Sequence, residues 1–427
     1  MPSLFYSSKS FAHIAFVVAF IFAASSFAQP AQSSATPAVA TPAVATPAMP
    51  QPSVPKPEVA VPQTLQPGAM PIPAAPVLPV KSYILVEFET GQVLAEQNSS
   101  LRVEPASITK TMAAFVIFEE LRAGRLKLTD EVTISEHAWR MEGSRMFAKV
   151  GDKIPVEQLI LGIIVQSGND STVALGEHIA GTEEAFVAMM NSYAQKLGLT
   201  GTNFANAPGL SHPNHYSTAA DIASLARVII RDHPDFYKWY SVREFTWNNV
   251  KQYNRNQLLA RDQSVDGMKT GHTENAGYCL VASAKRQDFR LISVVMGSES
   301  ESMRTQQSQA VLNYGFRFFE SHQLYAANQV LKEPEIYKGE TDTVSLGVQT
   351  PLRVVIPRGH YEKLAASMEL PSLLTAPIAQ GQVLGRVRVR LNDKLVAERD
   401  LVALKPVPEG GFFKRTSDWI ALWWRSE

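Results

Sequence analysis

The sequence is poor in the residues from which several common kinds of site are built. Its single cysteine, Cys279, excludes any disulfide within the chain. This residue lies in an apolar, strand-like run, so we expect a small buried hydrophobic side chain. Forty basic and forty acidic residues leave no net charge, which argues against binding nucleic acid through bulk electrostatics. The nine histidines are scattered without metal-ligand spacing, so we expect no metal and no other cofactor.

The first 28 residues have the pattern of an export signal. Lys9 supplies a positive charge, and the apolar run over 13–24 is too short to span a bilayer comfortably. Ser26 and Ala28 place small residues before a cleavage position at Gln29. We therefore predict a signal peptide over residues 1–28. The alternative is an N-terminal membrane anchor that is never cleaved, and in both cases the rest of the chain is exported.

Residues 29–77 consist largely of proline, alanine, valine and threonine, and the run Thr-Pro-Ala-Val-Ala occurs twice, from Thr36 and from Thr41. The segment has no amphipathic period and too many prolines for a helix or a sheet. We predict a disordered, extended linker over 29–77.

Periodicity predicts alternating helices and strands between residues 78 and 320. Helical patterns cover 106–123, 156–165, 171–197, 219–231 and 305–319, and strand patterns cover 83–86, 278–284 and 290–296. Because strands come from both ends with helices between them, we expect one α+β domain over 78–320. From 321 to 408 the period changes to two, most clearly at 386–391, where arginines alternate with valines and a leucine. This pattern predicts a small all-β domain.

The last residues, 409–427, predict an amphipathic helix. Phe412, Phe413, Trp419, Trp423 and Trp424 fall on one side at helical spacing. Tryptophan suits the boundary between a bilayer and water, so we expect this helix to lie on a membrane surface. Docking on the protein's own surface is the alternative.

A serine and a lysine stand three residues apart at the start of the first strong helix. Pro105 marks the helix start, which places Ser107 in the first turn, where the helix dipole favours a developing alkoxide. Lys110 projects from nearly the same face. This pair can perform nucleophilic catalysis without histidine, provided that the lysine is neutral. Ser-x-x-Lys alone is common by chance.

Two further triplets follow in order. Ser167-Gly168-Asn169 follows an apolar helix, and Lys269-Thr270-Gly271 precedes a strand, in a segment whose glycines let the backbone approach a ligand. Each triplet alone is a weak signal. The ordered set of three, separated by about 60 and 100 residues, is a strong one.

The ordered set resembles the low-molecular-mass penicillin-binding proteins, the peptidase S11-like serine D-alanyl-D-alanine carboxypeptidases. The resemblance covers about residues 78–408 and implies a penicillin-binding, β-lactamase-like transpeptidase domain. It also implies a set of roles. Ser107 is the nucleophile, Lys110 its base, Ser167 a proton relay and Asn169 an orienting amide; Lys269 and Thr270 of the Lys269-Thr270-Gly271 motif bind the substrate carboxylate with Arg255 and Arg304, and the amides of Ser107 and His272 form the oxyanion hole.

The resemblance further implies an enzyme that removes the terminal D-alanine from peptidoglycan pentapeptide stems through an acyl-enzyme. β-Lactams would be covalent inhibitors, and the protein would be periplasmic, held at the inner-membrane surface by its last helix. A class A β-lactamase needs a further glutamate for deacylation, and none occurs between Glu184 and Glu244. A peptidoglycan endopeptidase and a non-catalytic cell-wall-binding protein remain as alternatives.

Overall fold

Residues 72–425 are described by a computed structural model of the chain. The signal peptide predicted over 1–28 and most of the linker predicted over 29–77 lie outside the described residues. The end of that linker is described, and it lies on the domain surface. Tyr314 and Tyr83 donate hydrogen bonds to the carbonyl groups of Pro73 and Pro76. These two part-buried tyrosine hydroxyls therefore hold the backbone of Pro73 and Pro76 against the first domain.

The helices and strands follow one another in a mixed order. The helices are α1 (Lys110–Arg122), α2 (Glu136–Arg140), α3 (Val156–Leu161), α4 (Asn169–Ala180), α5 (Glu183–Lys196), α6 (Ala219–Asp232), α7 (Pro234–Tyr237), α8 (Leu258–Arg261), α9 (Glu301–Phe318) and α10 (Phe412–Arg425). The strands of the first domain are β1 (Ser82–Glu87), β2 (Val93–Gln97), β3 (Glu131–Thr133), β4 (Lys153–Pro155), β5 (Glu244–Trp247), β6 (Val250–Tyr253), β7 (Val265–Thr273), β8 (Gly277–Arg286) and β9 (Phe289–Ser298). The strands of the second domain are β10 (Phe319–Tyr325), β11 (Val330–Lys332), β12 (Leu346–Gly347), β13 (Leu352–Pro357), β14 (Leu364–Glu369), β15 (Val383–Leu391) and β16 (Lys394–Ala403).

A five-stranded antiparallel sheet in the order β2-β1-β9-β8-β7 forms the centre of the first domain. β1 pairs along its length with β9, with Tyr83 opposite Val295. The expected α+β sheet assembled from both ends of the domain is confirmed. Alternate residues of β1 face opposite sides of the sheet. Ile84 packs in the core that contains α1, α4 and α6, while Leu85 packs in the core beneath α9.

Helix α1 lies inside the first domain. Every residue from Met112 to Phe118 is at most 4% exposed. A helix that is buried on every side is closely packed all round, so it cannot rotate or slide without disturbing its neighbours. The start of α1, which carries Lys110, and the short turn before it, which carries Ser107, are therefore held in a fixed position relative to the sheet.

Several elements differ from the predicted helices and strands, and three of them bear on the first domain's layout. The helical pattern over 171–197 is two helices, because Gly181 ends α4 with a φ of +86°. The helix expected from 305 begins at Glu301, where the Ser300 hydroxyl accepts a hydrogen bond from the Met303 amide. The segment 265–273, expected to precede a strand, is itself the edge strand β7.

The second domain is all β and carries α10 at its end. Its main sheet has the order β11-β12-β16-β15-β14, and β10 pairs with β13. The alternation expected in β15 is present, since Val387 and Val389 are fully buried while Arg386 and Arg390 are exposed. The expected sequence of an α+β domain, a small β domain and a C-terminal helix is thus confirmed. No described helix combines the length and the apolar character needed to cross a bilayer.

A buried histidine connects the start of α1 to the loop over 205–217. His215 is 1% exposed, and its Nδ1 accepts a hydrogen bond from the Ala205 amide at 3.1 Å. Its Nε2 therefore carries the proton and donates to Thr109 Oγ1 at 2.7 Å. Thr109 ends the short 3₁₀ turn Ala106–Thr109 that leads into α1. Burial lowers the pKa of His215 to about 4.

We expect the stability of the first domain to fall as the pH is lowered from about 6.5 towards about 4. In this range the unfolded chain binds a proton at His215 and the folded chain does not. The loss is about 3 kcal/mol by linkage when both pKa values have been passed. Urea unfolding followed by tryptophan fluorescence at a series of pH values measures it.

His215→Gln removes this titration and should give a flatter dependence of unfolding free energy on pH. His178→Gln removes an exposed histidine and should keep the slope of the unmutated protein. Equal slopes for all three proteins would show that His215 is not buried as a neutral ring.

Candidate active site

The turn that carries Ser107 is fixed by close backbone contacts. Ala106, the residue before it, has a φ of +50°, which non-glycine residues rarely adopt. Gly209 packs against this turn so closely that a Cβ atom there would lie 2.0 Å from the Ala106 carbonyl oxygen. The loop that contains Gly209 therefore clamps the turn and leaves the Ser107 side chain facing a cleft of about 550 Å³.

Lys110 is the most constrained side chain of the cleft. It is fully buried, and its Nζ lies 2.9 Å from Ser107 Oγ. Nζ also donates to Asn169 Oδ1 at 2.6 Å and to the Pro208 carbonyl oxygen at 2.7 Å. A neutral amine has two N–H donors and one lone pair. The two carbonyl acceptors take both donors, so the lone pair of neutral Lys110 faces the Ser107 hydroxyl.

The surroundings of Lys110 favour this neutral form. Burial, and after it the positive charge of Arg255, lowers the pKa of Lys110 from 10.5 to about 7, while the charge of Asp170 opposes both effects. Near neutral pH a large fraction of the protein therefore holds a base within hydrogen-bonding distance of the serine. The sequence analysis required a lysine that can be neutral, and the lowered pKa of Lys110 meets this requirement.

The second triplet joins the end of one helix to the start of another. Ser167 has a φ of +65° and is 3% exposed. Asn169 begins α4, and its amide group bridges the site, because Oδ1 accepts from Lys110 and Nδ2 donates to the Glu142 carbonyl oxygen at 2.5 Å. The left-handed backbone at Ser167 turns its chain sharply, so that both side chains enter the cleft.

A buried carboxylate next to Asn169 shapes one wall of the cleft. Asp170 is 1% exposed and accepts hydrogen bonds from the backbone amides of Met146, Phe147 and Ala148 at 3.0, 3.0 and 3.3 Å. These bonds fold the chain before Met146 over the site, where Gly143 and Ser144 line the cleft.

The third triplet lies on β7, the edge strand beside Ser107. Lys269 is 2% exposed, and its Nζ donates to Ser167 Oγ and to the Thr270 carbonyl oxygen, both at 2.9 Å. Burial, and next to it the charge of Lys110, lowers the pKa of Lys269 well below its ordinary value. A Cβ atom at Gly271 would lie 3.1 Å from the Ser107 amide nitrogen, so glycine allows β7 to lie this close.

Cationic and aromatic groups close the other end of the cleft. Arg304, on α9, is 3% exposed, and its Nη2 lies 3.5 Å from the Arg255 carbonyl oxygen. Arg255 is exposed, and both arginines line the cleft. His272 is exposed as well, and its ring stacks on Tyr278 with 4.0 Å between centroids.

The structure thus brings together all ten residues that the sequence and the resemblance selected: Ser107, Lys110, Ser167, Asn169, Arg255, Lys269, Thr270, Gly271, His272 and Arg304. It also adds groups that sequence reasoning missed, namely the Pro208 carbonyl, Asp170, Glu301 and Tyr278. The Pro208 contact uses only backbone and leaves no side-chain signal. Asp170 stands directly after the second triplet, and that position was the available clue.

A serine hydroxyl beside a buried lysine whose pKa is lowered to about 7, with a cationic end to the cleft, defines a site for serine acyl transfer that needs no histidine. The family model described as D-alanyl-D-alanine carboxypeptidase matches residues 71–300. A second model, described as the C-terminal domain of penicillin-binding protein 5, matches residues 319–409. The chain belongs to the D-alanyl-D-alanine carboxypeptidase family.

Named relatives and solved structures agree with this assignment. The chain is 44% identical to the D-alanyl-D-alanine carboxypeptidase DacA of Escherichia coli K12 over 82% of this chain and 89% of the relative. It is 36% identical to DacF of Bacillus subtilis over 79% of this chain and 90% of the relative. The crystal structure of penicillin binding protein 5 from Haemophilus influenzae superposes with a TM-score of 0.76 at 42% identity, covering 79% of this chain and 99% of that one.

We expect acylation of Ser107 by a penicillin to become faster as the pH rises through about 7 and then to level off. Protonated Lys110 has no lone pair for the Oγ proton, so the rate falls about tenfold for each pH unit below its pKa. Arg255→Gln removes a charge that lowers this pKa, so the midpoint should move to higher pH. Rapid-quench acylation with a labelled penicillin at a series of pH values gives both midpoints.

The matched control is Arg243→Gln, which removes an exposed cation that does not line the cleft and should leave the midpoint in place. An acylation rate that does not change with pH would contradict a titrating base at Lys110.

Proposed function

We propose that this protein is a serine carboxypeptidase that removes the terminal D-alanine from peptidoglycan pentapeptide stems through an acyl-enzyme. The observation that carries the proposal is the contact of Lys110 with Ser107, Asn169 and the Pro208 carbonyl, which leaves a neutral amine aimed at the serine. The relatives named D-alanyl-D-alanine carboxypeptidase support the choice of substrate.

In the acylation step the Ser107 oxygen attacks the carbonyl carbon of the last peptide bond while its proton passes to Lys110 Nζ. The amides of Ser107 and His272 stabilise the oxyanion, since Gly271 lets β7 approach the Ser107 turn. The C–N bond then breaks, and the leaving amine takes a proton through Ser167, which is hydrogen-bonded to Lys269. D-Alanine departs, and the rest of the peptide stays attached to Ser107 as an ester.

The free carboxylate of the substrate distinguishes carboxypeptidase from general peptidase activity. Arg304 and Arg255 line the cleft, and Lys269 lies behind Thr270 on the same side. A charge-assisted contact of this kind is worth roughly 1.5 to 3 kcal/mol. These groups therefore favour peptides that end in a free carboxylate over amidated ones.

In the second step, water attacks the ester, Lys110 accepts its proton, and the tetrapeptide is released with Ser107 regenerated. A β-lactam differs because its cleaved amine remains tethered to the acyl group and stays in the cleft. The protein should therefore be inhibited by penicillins and hydrolyse them slowly. Structures of penicillin-binding protein D2 from Listeria monocytogenes, 28% identical to this chain, contain bound ampicillin or cefotaxime.

We further propose a periplasmic location at the inner-membrane surface, reached by export and held by α10. The Asp418 carboxylate accepts a hydrogen bond from the Lys338 amide at 2.6 Å, and Lys414 pairs with Asp342. These contacts join the polar side of α10 to the β domain. Phe413 and Trp419 are 88% and 62% exposed. The helix thus docks on its own protein through polar groups and presents Phe413 and Trp419 outward, which suits insertion into a bilayer interface.

We expect Lys110→Arg to abolish acylation by penicillin, with a loss of at least about 10²-fold, because a guanidinium keeps the charge but cannot accept the serine proton. The intact mass of the protein after timed exposure to penicillin measures the adduct. Ser107→Ala supplies the baseline without a nucleophile, and melting temperatures show whether each variant is folded.

Lys110→Ala should regain part of the acylation rate when a small alkylamine is added, since the amine can occupy the vacated space and accept the proton. An arginine variant that acquires the adduct at a near-normal rate would disprove the general-base role. A folded, unmutated protein that neither forms the adduct nor releases D-alanine from a pentapeptide would overturn the proposed function, and release only from cross-linked dimers would indicate an endopeptidase.

We expect a chain that ends at Glu409 to lose binding to lipid vesicles by at least about tenfold while it retains penicillin binding, because α10 supplies most of the membrane contact. Vesicle sedimentation of the mature protein, with fluorescent penicillin as label, measures both properties. Tyr361→Ser removes an exposed aromatic side chain from the β domain and should leave binding unchanged. A shortened chain that still sediments with vesicles would exclude α10 as the anchor.

A further inference from the structure

An acidic residue of this chain contacts the arginine that is proposed to hold the substrate carboxylate. Glu301, the first residue of α9, lines the cleft, and its side chain is 48% exposed. Its Oε1 lies 2.9 Å from Nη2 of Arg304, whose side chain is 4% exposed. In the free protein, a carboxylate therefore already occupies one donor of the buried guanidinium.

The other donors of Arg304 are only partly used. Nη2 also lies 3.5 Å from the Arg255 carbonyl oxygen, and Nε is buried without a hydrogen-bond partner in the described part of the chain. Burial lowers the pKa of Arg304, and the charge of Glu301 is the largest effect that opposes it. Glu301 therefore stabilises the charge of the guanidinium, which keeps an unpartnered Nε and so retains capacity for a second carboxylate.

We propose that Glu301 is a specificity-determining residue that competes with the terminal carboxylate of the substrate for Arg304. The inference rests on the proposed function, which brings that carboxylate to this end of the cleft. A bidentate contact with both Nη atoms of Arg304 requires Glu301 to move aside or to share Nη2. Two carboxylates on one guanidinium repel each other, so Glu301 weakens the binding of anionic ligands and leaves amidated ligands unaffected.

This competition has a direct consequence for turnover. The carboxylate that Arg304 holds belongs to the D-alanine that leaves after acylation. When Glu301 returns to Nη2, it replaces the contact that D-alanine gives up, and the product dissociates more readily. Glu301 therefore acts on the binding of substrate and product and takes no part in the proton transfers at Ser107.

The test is Glu301→Gln, which keeps the shape of the side chain and removes its charge. We expect the KM of the free-acid pentapeptide to fall by about three- to tenfold. The inhibition constant of added D-alanine should fall in the same direction. In the Ser107→Ala background, calorimetry should show tighter binding of the free-acid peptide and unchanged binding of its amide.

Glu299→Gln is the matched control, because it removes an equal charge from an exposed residue nearby that does not line the cleft. A role of Glu301 confined to the helix dipole would lower the melting temperature and change the binding of acid and amide peptides equally. That result would overturn the proposal. A fall in kcat/KM for the free acid would also overturn it, since Glu301 would then be needed to hold Arg304 in place.

If Glu301→Gln does not fold, Glu301→Ser provides the same comparison. The unmutated enzyme separates this proposal from the function on which it rests. If the unmutated enzyme turns over the pentapeptide but the Glu301 variants show no change in preference between free-acid and amidated peptides, the competition alone is refuted. Absence of turnover in the unmutated enzyme refutes the proposed function.

Discussion

The burial of Lys110 is the constraint on which the rest of the catalytic domain depends. A pKa of about 7 instead of 10.5 corresponds to roughly 5 kcal/mol by which the surroundings disfavour the ammonium form. The domain supplies this by enclosing the side chain completely and by keeping Arg255 nearby. It also satisfies the neutral amine with two carbonyl acceptors, Asn169 Oδ1 and the Pro208 oxygen. Because the ammonium form is destabilised by this amount, Lys110 can be neutral near pH 7 while it lies beside Ser107.

This arrangement needs chain segments that are far apart in sequence to meet within a few ångströms. The inner position of α1 fixes Ser107 and Lys110, the left-handed turn at Ser167 aims the second motif inward, and β7 closes the site as an edge strand. An edge strand has one side free of a neighbouring strand, so it can run along a ligand. The sheet built from both ends of the domain makes this possible, because it places β7 at its border.

The sequence predicted most of the residues that meet at the cleft and less of the scaffold that positions them. The motifs that contain Ser107, Lys110 and Lys269 are defined by side-chain type and spacing. They can therefore be recognised in the sequence without knowledge of the fold. The break between α4 and α5 depended on one glycine, Gly181, whose positive φ interrupts a continuous helical pattern. The Pro208 carbonyl offered no signal, since any residue has one. Glu301 was missed because its importance comes only from its contact with Arg304.

The charges of the cleft connect binding to catalysis. The chain has no net charge, so an anionic peptide must be attracted locally, and in the proposed function Arg255 and Arg304 provide that attraction. Arg255 also lowers the pKa of Lys110, and the two effects are linked. A substrate carboxylate beside Arg255 offsets part of its field and makes Lys110 a stronger base when a peptide is present. Departure of D-alanine removes this offset and lowers the pKa of Lys110 again, so the lysine, which has already passed its proton to the leaving amine, stays neutral until it takes the proton of the attacking water.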